Sequence, residues 1–206
     1  MFSLLIRLRN AFLVRWWRVT VRAALRSLGV ELGDRVVFYG WPDVRMALGS
    51  RILVEDSAVL CSDHRFTDLG VAKPVVLRTL GPRAQIVIGQ DTGMSGTVIC
   101  SASSVTIGRE CLMGADVHIT DTDFHPIAPQ GRRHEGRPER ISSRPVLIGD
   151  NVFLGAGVRV LKGVTIGNDA VVGAGSIVTG DVPAGAIVVG VPGRVVGSVY
   201  DSAIAQ

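Results

Sequence analysis

The sequence predicts an all-β solenoid, a parallel β-helix, preceded by one amphipathic helix and interrupted by an extruded loop. Three observations predict it. Aliphatic residues recur every six positions at Ile148, Leu154, Val160, Ile166, Val172 and Val178, each followed four places later by a small or β-branched residue (Val152, Val158, Val164, Ala170, Ser176, Val182). Glycine is abundant, at 25 of 206 residues, and stands directly after the aliphatic at Gly149, Gly155, Gly167 and Gly173. Apolar residues make up 47% of the chain but aromatics only 5%, so the core is built of Val, Ile, Leu and Ala in thin layers.

A half-buried strand alternates with period two and a helix with period 3.6. A period of six fits neither. It fits short flat strands joined by tight corners, three strands to a coil, each coil burying its apolar face only against its neighbours. Glycine after the aliphatic is expected to permit a tight or left-handed corner. The same register runs upstream through Ile107, Met113 and Ile119. Before that come Ile88, Met94 and Cys100, with a one-residue slip between 100 and 107, and a degraded stretch at Val36, Pro42, Leu48, Val54 and Leu60.

Three segments break the rhythm. Residues 2–28 read as a helix. Residues 61–85 carry turn residues and a short apolar strand, Val75–Leu80. Residues 124–145 hold Pro126, Pro129, Pro138 and Pro145 with two glycines and five arginines, so they read as a loop thrown out between Ile119 and Ile148. Long loops inside compact repeats usually carry function. The chain therefore divides into a helix (1–30), a β-helix domain (31–198, with the loop 124–145) and a tail (199–206). Pro183 and Pro192 end the regular coils, and an irregular cap is expected there.

The net charge of +4 is unevenly placed. Residues 1–30 hold six arginines (Arg7, Arg9, Arg15, Arg18, Arg22, Arg26) and no acid, leaving sixteen basic against eighteen acidic residues in the rest. That argues against a nucleic-acid-binding body. On a helical wheel Arg7, Arg15, Arg18, Arg22 and Arg26 fall within about 100° of one another. Phe12, Trp16 and Trp17 lie among apolar residues spread round the rest. A cationic stripe beside aromatics suits a membrane interface; the alternative is a helix packed on the prism or on a neighbouring subunit. Arginines interrupt every apolar run that could serve as a signal peptide or spanning helix. Cys61, Cys100 and Cys111 form no CxxC pair and read as small apolar residues in a reducing compartment.

His125 stands at the root of the excursion, in "ITDTDFHP". A neutral imidazole there suits a general base near neutral pH, with Asp121 and Asp123 the nearest carboxylates by sequence. The alternative is a surface histidine in a turn before a proline.

The segments "SGTVIC", "VTIGRECLMGADVHITDTDFHP" and "IGDNVFLGAGVRVLKGVTIGNDAVVGAGSIV", with "VPGR" beyond, carry a resemblance over roughly residues 86–197. The chain resembles the hexapeptide-repeat acyltransferases, whose coils wind left-handed. Within them it resembles the maltose/galactoside O-acetyltransferase group, and most of all its polysaccharide-cluster members of the colanic-acid type. The resemblance implies a left-handed parallel β-helix, a homotrimer, acetyl-CoA as co-substrate, and direct transfer of acetyl to a sugar hydroxyl in a groove between subunits. It makes His125 the base. It places the donor against Gly155, Ala156, Gly173 and Ala174, with Thr179 and Arg194 toward the CoA phosphates. Two departures stand out: Gly180 replaces the family's lysine after Thr179, and Gly197 replaces a second basic residue. Ser95 occupies a position near the acceptor where members often carry asparagine. Ser95, Asp121 and Asp123 are the substrate-side candidates, and acceptor choice is expected in 61–85 and 124–145.

No metal is expected. Trimeric γ-type carbonic anhydrases share this solenoid and use three histidines, and His64, His118, His125 and His134 are available. The HxxxxH pair is absent, since His118 and His125 are seven apart. The readings that stay open are O-acetylation of a sugar or lipid-linked saccharide, N-acetylation of an amino sugar, and a non-catalytic membrane-associated scaffold. A cytoplasmic place, at the membrane surface through residues 1–28, fits the first.

Overall fold

Six residues become one strand and one corner in the computed structural model, which describes residues 2–201. The helix α1 (Phe2–Ser27) comes first. It contains no glycine or proline, and it stops at Gly29, whose φ is +90°. The amide of Gly29 bonds the Arg26 carbonyl, the amide of Val30 bonds the Leu25 carbonyl (both 3.0 Å), and Leu25 and Val30 are both buried, which makes this a Schellman stop.

Six coils follow, each of three strands. They are β1 (Glu31–Leu32), β2 (Val37–Tyr39) and β3 (Asp43–Arg45); β4 (Arg51–Val54), β5 (Val59–Cys61) and β6 (Val76–Thr79); β7 (Gln85–Ile88), β8 (Gly93–Ser95) and β9 (Val98–Ser101); β10 (Ser104–Ile107), β11 (Leu112–Ala115) and β12 (His118–Thr120); β13 (Val146–Ile148), β14 (Phe153–Leu154) and β15 (Arg159–Val160); and β16 (Thr165–Ile166), β17 (Val171–Val172) and β18 (Ile177–Val178). Every third strand pairs in parallel, so the coils stack into three sheets, led by β1, β2 and β3 and called here sheets 1, 2 and 3. The resulting three-sided prism fits the left-handed winding expected of its repeats. β19 (Ala186–Val189) continues sheet 2, and β20 (Arg194–Ser198) folds back antiparallel on it. This hairpin is the expected cap, and residues 202–206 of the predicted tail lie outside the described residues.

The register shows what the period means. Ile107, Ile148 and Ile166 are stacked partners in sheet 1, as are Met113, Leu154 and Val172 in sheet 2 and Ile119, Val160 and Val178 in sheet 3. All nine are buried. Burying such side chains contributes roughly 1.5–3 kcal/mol each.

Three expectations need correction. Ile99, not Cys100, is the stacking partner of Ile119, so the corner after Met94 is one residue short and the next, from Ile99 to Ile107, is two residues long. The degraded stretch holds at Val54 and Leu60 but is out of register in the first coil. Its inward residues are Leu32, Phe38 and Val44, partnered with Val54, Leu60 and Leu77, whereas Leu48 is 97% exposed. Finally, the glycine after the aliphatic is not the left-handed residue. The positive φ falls two places later, at Asn151, Gly157, Asp169 and Gly175. Gly155 is needed for another reason: a Cβ there would lie 2.6 Å from the backbone nitrogen of Ala174 in the next coil.

Two segments leave the prism, from different edges. Residues 62–75 leave between sheets 2 and 3. Residues 121–145 leave between sheets 3 and 1. Among the described residues no helix is long and apolar enough to cross a membrane.

Candidate active site

The root of the second loop is tightly held. Asp121 is fully buried, and its carboxylate accepts hydrogen bonds from Ser101 Oγ (2.9 Å) and from the amides of Ala102 (2.7 Å) and Ser103 (2.8 Å). Asp123 pairs with Lys162 Nζ at 2.6 and 2.7 Å, tying the loop to the next coil. A bridge between Thr122 and Ser143, with Ser143 Oγ donating to Thr122 Oγ1 at 2.9 Å, closes the neck. Both aspartates are therefore committed within the chain. In the single chain these carboxylates bind the solenoid and its cation.

His125 itself is exposed. Its backbone amide bonds the Asp123 carbonyl at 2.7 Å. The residue before it, Phe124, has φ +62°, a left-handed conformation that costs an aromatic residue about 1–3 kcal/mol. The residue after it, Pro126, is buried and restricts His125 to extended backbone. The imidazole is thus presented outward from the edge between sheets 3 and 1 on a fixed stem.

The small residues lie elsewhere. Gly155, Ala156, Gly173 and Ala174 are on corners at the edge between sheets 2 and 3, bound coil to coil by Gly157 N to Ala115 O and Gly175 N to Ala156 O, both 2.8 Å. Gly155 is buried, Ala156 half-buried and Ala174 exposed, so the upper coils leave this edge open. Lower down, the first loop folds over it. The amide of Ala72 bonds the Asp116 carboxylate at 3.1 and 3.2 Å, and Lys73 lies 3.9 Å from it. Between loop and corners is a recess of about 510 Å³ lined by His64, Leu69, Ala115, Asp116 and Ala156 among others. The sequence offers His64 only as one of four histidines available to a metal, and Leu69 and Asp116 not at all; the one signal for the loop residues is that 61–85 breaks the repeat.

Thr179 and Arg194 share a recess of about 240 Å³ at the C-terminal end of the prism, with Gly180, Asp181 and Gly193. Ser95 opens into a third, of about 360 Å³, on the outer face of sheet 2, walled by Tyr39, Cys61, Phe66, Leu112 and Phe153. His125 and the small-residue corners therefore stand on different edges of the prism. Asp116 and Asp121 bound β12 at its two edges, roughly 16 Å apart as extended chain. A general base works within about 3 Å of its proton. One chain does not bring His125 to the corners of Ala156 and Ala174.

Other reactive groups are quiet. Cys61, Cys100 and Cys111 are buried, and burial pushes each thiol up. His118 is paired in register with Arg159. Burial first, then Lys73 and Arg159, lowers its pKa below the usual histidine value. Among the described residues no three His, Cys, Asp or Glu side chains cluster as a metal site would need.

Comparison with known proteins bears on this arrangement. Residues 145–180 match the bacterial transferase hexapeptide family (six repeats). A galactoside O-acetyltransferase of Escherichia coli K12 is 40% identical over 98 residues, 48% of this chain and 46% of that protein. A protein of the same organism named as a lipopolysaccharide biosynthesis O-acetyl transferase, WbbJ, is 40% identical over 102 residues, 48% of this chain and 52% of that protein. The chain thus spans about half the length of the curated relatives it matches. A hexapeptide-repeat-containing acetyltransferase of Vibrio cholerae O1 biovar eltor, solved with acetyl-coenzyme A, is 26% identical, with a TM-score of 0.55 over 75% of this chain and 73% of that one.

Proposed function

We propose that this chain, a hexapeptide-repeat protein of the bacterial transferase kind, is an acetyl-CoA-dependent O-acetyltransferase acting as a homotrimer on a hydroxyl of a sugar or lipid-linked saccharide. One observation carries the reading. His125 and the open corners of Ala156 and Ala174 lie on different edges of one prism, so a second copy is needed to complete a site. In a closed three-fold ring the His125 edge of each chain faces the Ala156–Ala174 edge of the next.

In this reading the donor enters at the C-terminal end. Arg194 and Thr179 receive CoA phosphate there, and the arm runs down the corners of Ala174 and Ala156. From the β19 layer to the Asp116 corner is three coil spacings, ~14 Å. The acyl end then reaches the recess closed by residues 62–75. His125 of the neighbouring chain takes the hydroxyl proton as the acceptor oxygen attacks the thioester carbonyl. The C–O bond forms, the C–S bond breaks, and the CoA thiolate leaves with a proton returned from the imidazolium. No covalent acyl-enzyme is required. Ser95, on sheet 2, lies toward the acceptor. Such an enzyme works on the cytoplasmic side, at the surface of the membrane that carries its acceptor.

Three measurements test this. His125→Ala is expected to slow CoA release by about 10²–10⁴-fold; near-normal activity would overturn the role of the base. Mixed oligomers of His125→Ala chains and Ala174→Trp chains should regain activity that neither variant has alone. No recovery in the mixture would mean that the site lies within one chain. Running the assay on hydroxyl and amino sugars in parallel separates O- from N-transfer.

A further inference from the structure

The helix α1 has two apolar faces, and the prism covers only one. Trp17, Val21 and Leu25 are 6%, 0% and 3% exposed against the first coil. Trp17 meets Phe66 edge-on at 5.5 Å, and Phe66 stacks on Tyr39 at 5.0 Å. Leu5, Leu8, Phe12, Trp16 and Val19 are instead 59%, 59%, 64%, 54% and 69% exposed. At 100° per residue these five fall within about 80° of one another. They form a continuous stripe, with Phe12 and Trp16 stacked at 6.3 Å.

The arginines divide in the same way. Arg22 is used inside the fold: its guanidinium donates to the carbonyls of Gly33 (2.7 Å), Asp34 (2.8 Å) and Val36 (3.2 Å), and Arg26 reaches that of Leu32 at 3.4 Å. Arg15 borders the exposed stripe on one side and Arg9 on the other, while Arg18 stands beyond Arg15 toward the prism, in a recess with Tyr39 and Phe66. Among the described residues, none of Arg7, Arg9, Arg15 and Arg18 is ion-paired to a carboxylate, and the sequence has no acid before Glu31. An apolar stripe of this size normally finds a cover. One bordered by unpaired arginines on a helix free of acids matches an anionic bilayer, whose headgroups take the guanidinium ions while Trp and Phe enter the acyl boundary.

We infer that α1 lies flat on an anionic membrane by the Leu5–Leu8–Phe12–Trp16–Val19 face, with Arg9 and Arg15 at headgroup level. The opposite face stays on the prism, so the solenoid stands on the bilayer by its N-terminal end. This deepens the proposed placement at a membrane, but it rests on the helix alone and not on acetyl transfer.

The test uses the full chain and sedimentation with vesicles of phosphatidylcholine alone or with 30% phosphatidylglycerol. Wild-type protein should bind the anionic vesicles, blue-shift its tryptophan emission, and release at high salt. Arg9→Gln with Arg15→Gln should weaken binding by about 10- to 30-fold. Phe12→Glu with Trp16→Glu should abolish it while acetyl transfer to a soluble acceptor, if measured, is unchanged. Equal binding to neutral vesicles would overturn the electrostatic part, and no binding to either would overturn the whole. Dissociation of the oligomer by Phe12→Glu with Trp16→Glu, read by sedimentation velocity without lipid, would also overturn it and assign the stripe to a second copy.

Discussion

Lys162 grips the carboxylate of Asp123 at 2.6 and 2.7 Å, and this pair sets the root of the His125 loop on the coil beneath it. Both side chains are largely covered, at 17% and 26% exposure, so the pair is worth more than an open surface bridge. Lys162→Met should cost about 1–2 kcal/mol of stability. It should lower kcat more than it raises donor KM, because it loosens the stem of the proposed base and touches no part of the proposed donor edge. Chemical denaturation and steady-state kinetics check the two halves separately.

Asp121 is a structural carboxylate. Asp121→Ala would strand the donors of Ser101, Ala102 and Ser103, at a cost of about 3 kcal/mol. Asp121→Asn keeps the shape but turns one accepting oxygen into a donor facing donors, and should recover little. Thermal unfolding of both variants checks this. A loss of activity with stability intact would instead return Asp121 to the chemistry.

The corner glycines and alanines are separable by substitution. Gly155→Ala sets a methyl against the Ala174 backbone nitrogen and should destabilise by about 1–3 kcal/mol. Ala174→Trp, on an exposed corner, should leave the melting temperature nearly unchanged and abolish acetyl-CoA binding by calorimetry.

His118 makes stability depend on pH. Its folded pKa lies below the unfolded value, so below about pH 6.5 the unfolded chain binds more protons. Stability is therefore full above that pH and falls as the pH drops through the unfolded value toward the folded one. The melting temperature should decline from pH 7 to pH 5, and His118→Gln should flatten that decline. The effect is small, because the ring is only part-buried.

Much of the fold was legible because stacking is a one-dimensional rule. In a β-helix the residue three hexads on is the spatial neighbour, so Ile148 names Ile166 and Leu154 names Val172 directly. The rule failed where the spacing changed. The short corner after Ser95 moved the inward residue from Cys100 to Ile99, and the first coil shifted the pattern to Phe38 and Val44. Period alone cannot say which residue of a corner takes positive φ. That is how the glycines after the aliphatics were assigned a backbone role when their role is close coil-to-coil contact.

The candidate site divided in the same manner. The position of His125 at the exit of the loop, and the run of small corner residues, are properties of local sequence. Nearness in sequence suggested Asp121 and Asp123 as its partners, but at the neck of a loop the carboxylates bind what is behind them, amides and Lys162. The chain by itself determined the repeat, the two excursions, the split of charge and the candidate base. The tertiary structure alone decided which edge each excursion leaves, that Arg22 is consumed by the first coil, and that His125 and the small-residue corners stand on different edges. The physical reason is geometric: six residues specify a strand and a corner, but only closure of three such units assigns each corner to an edge.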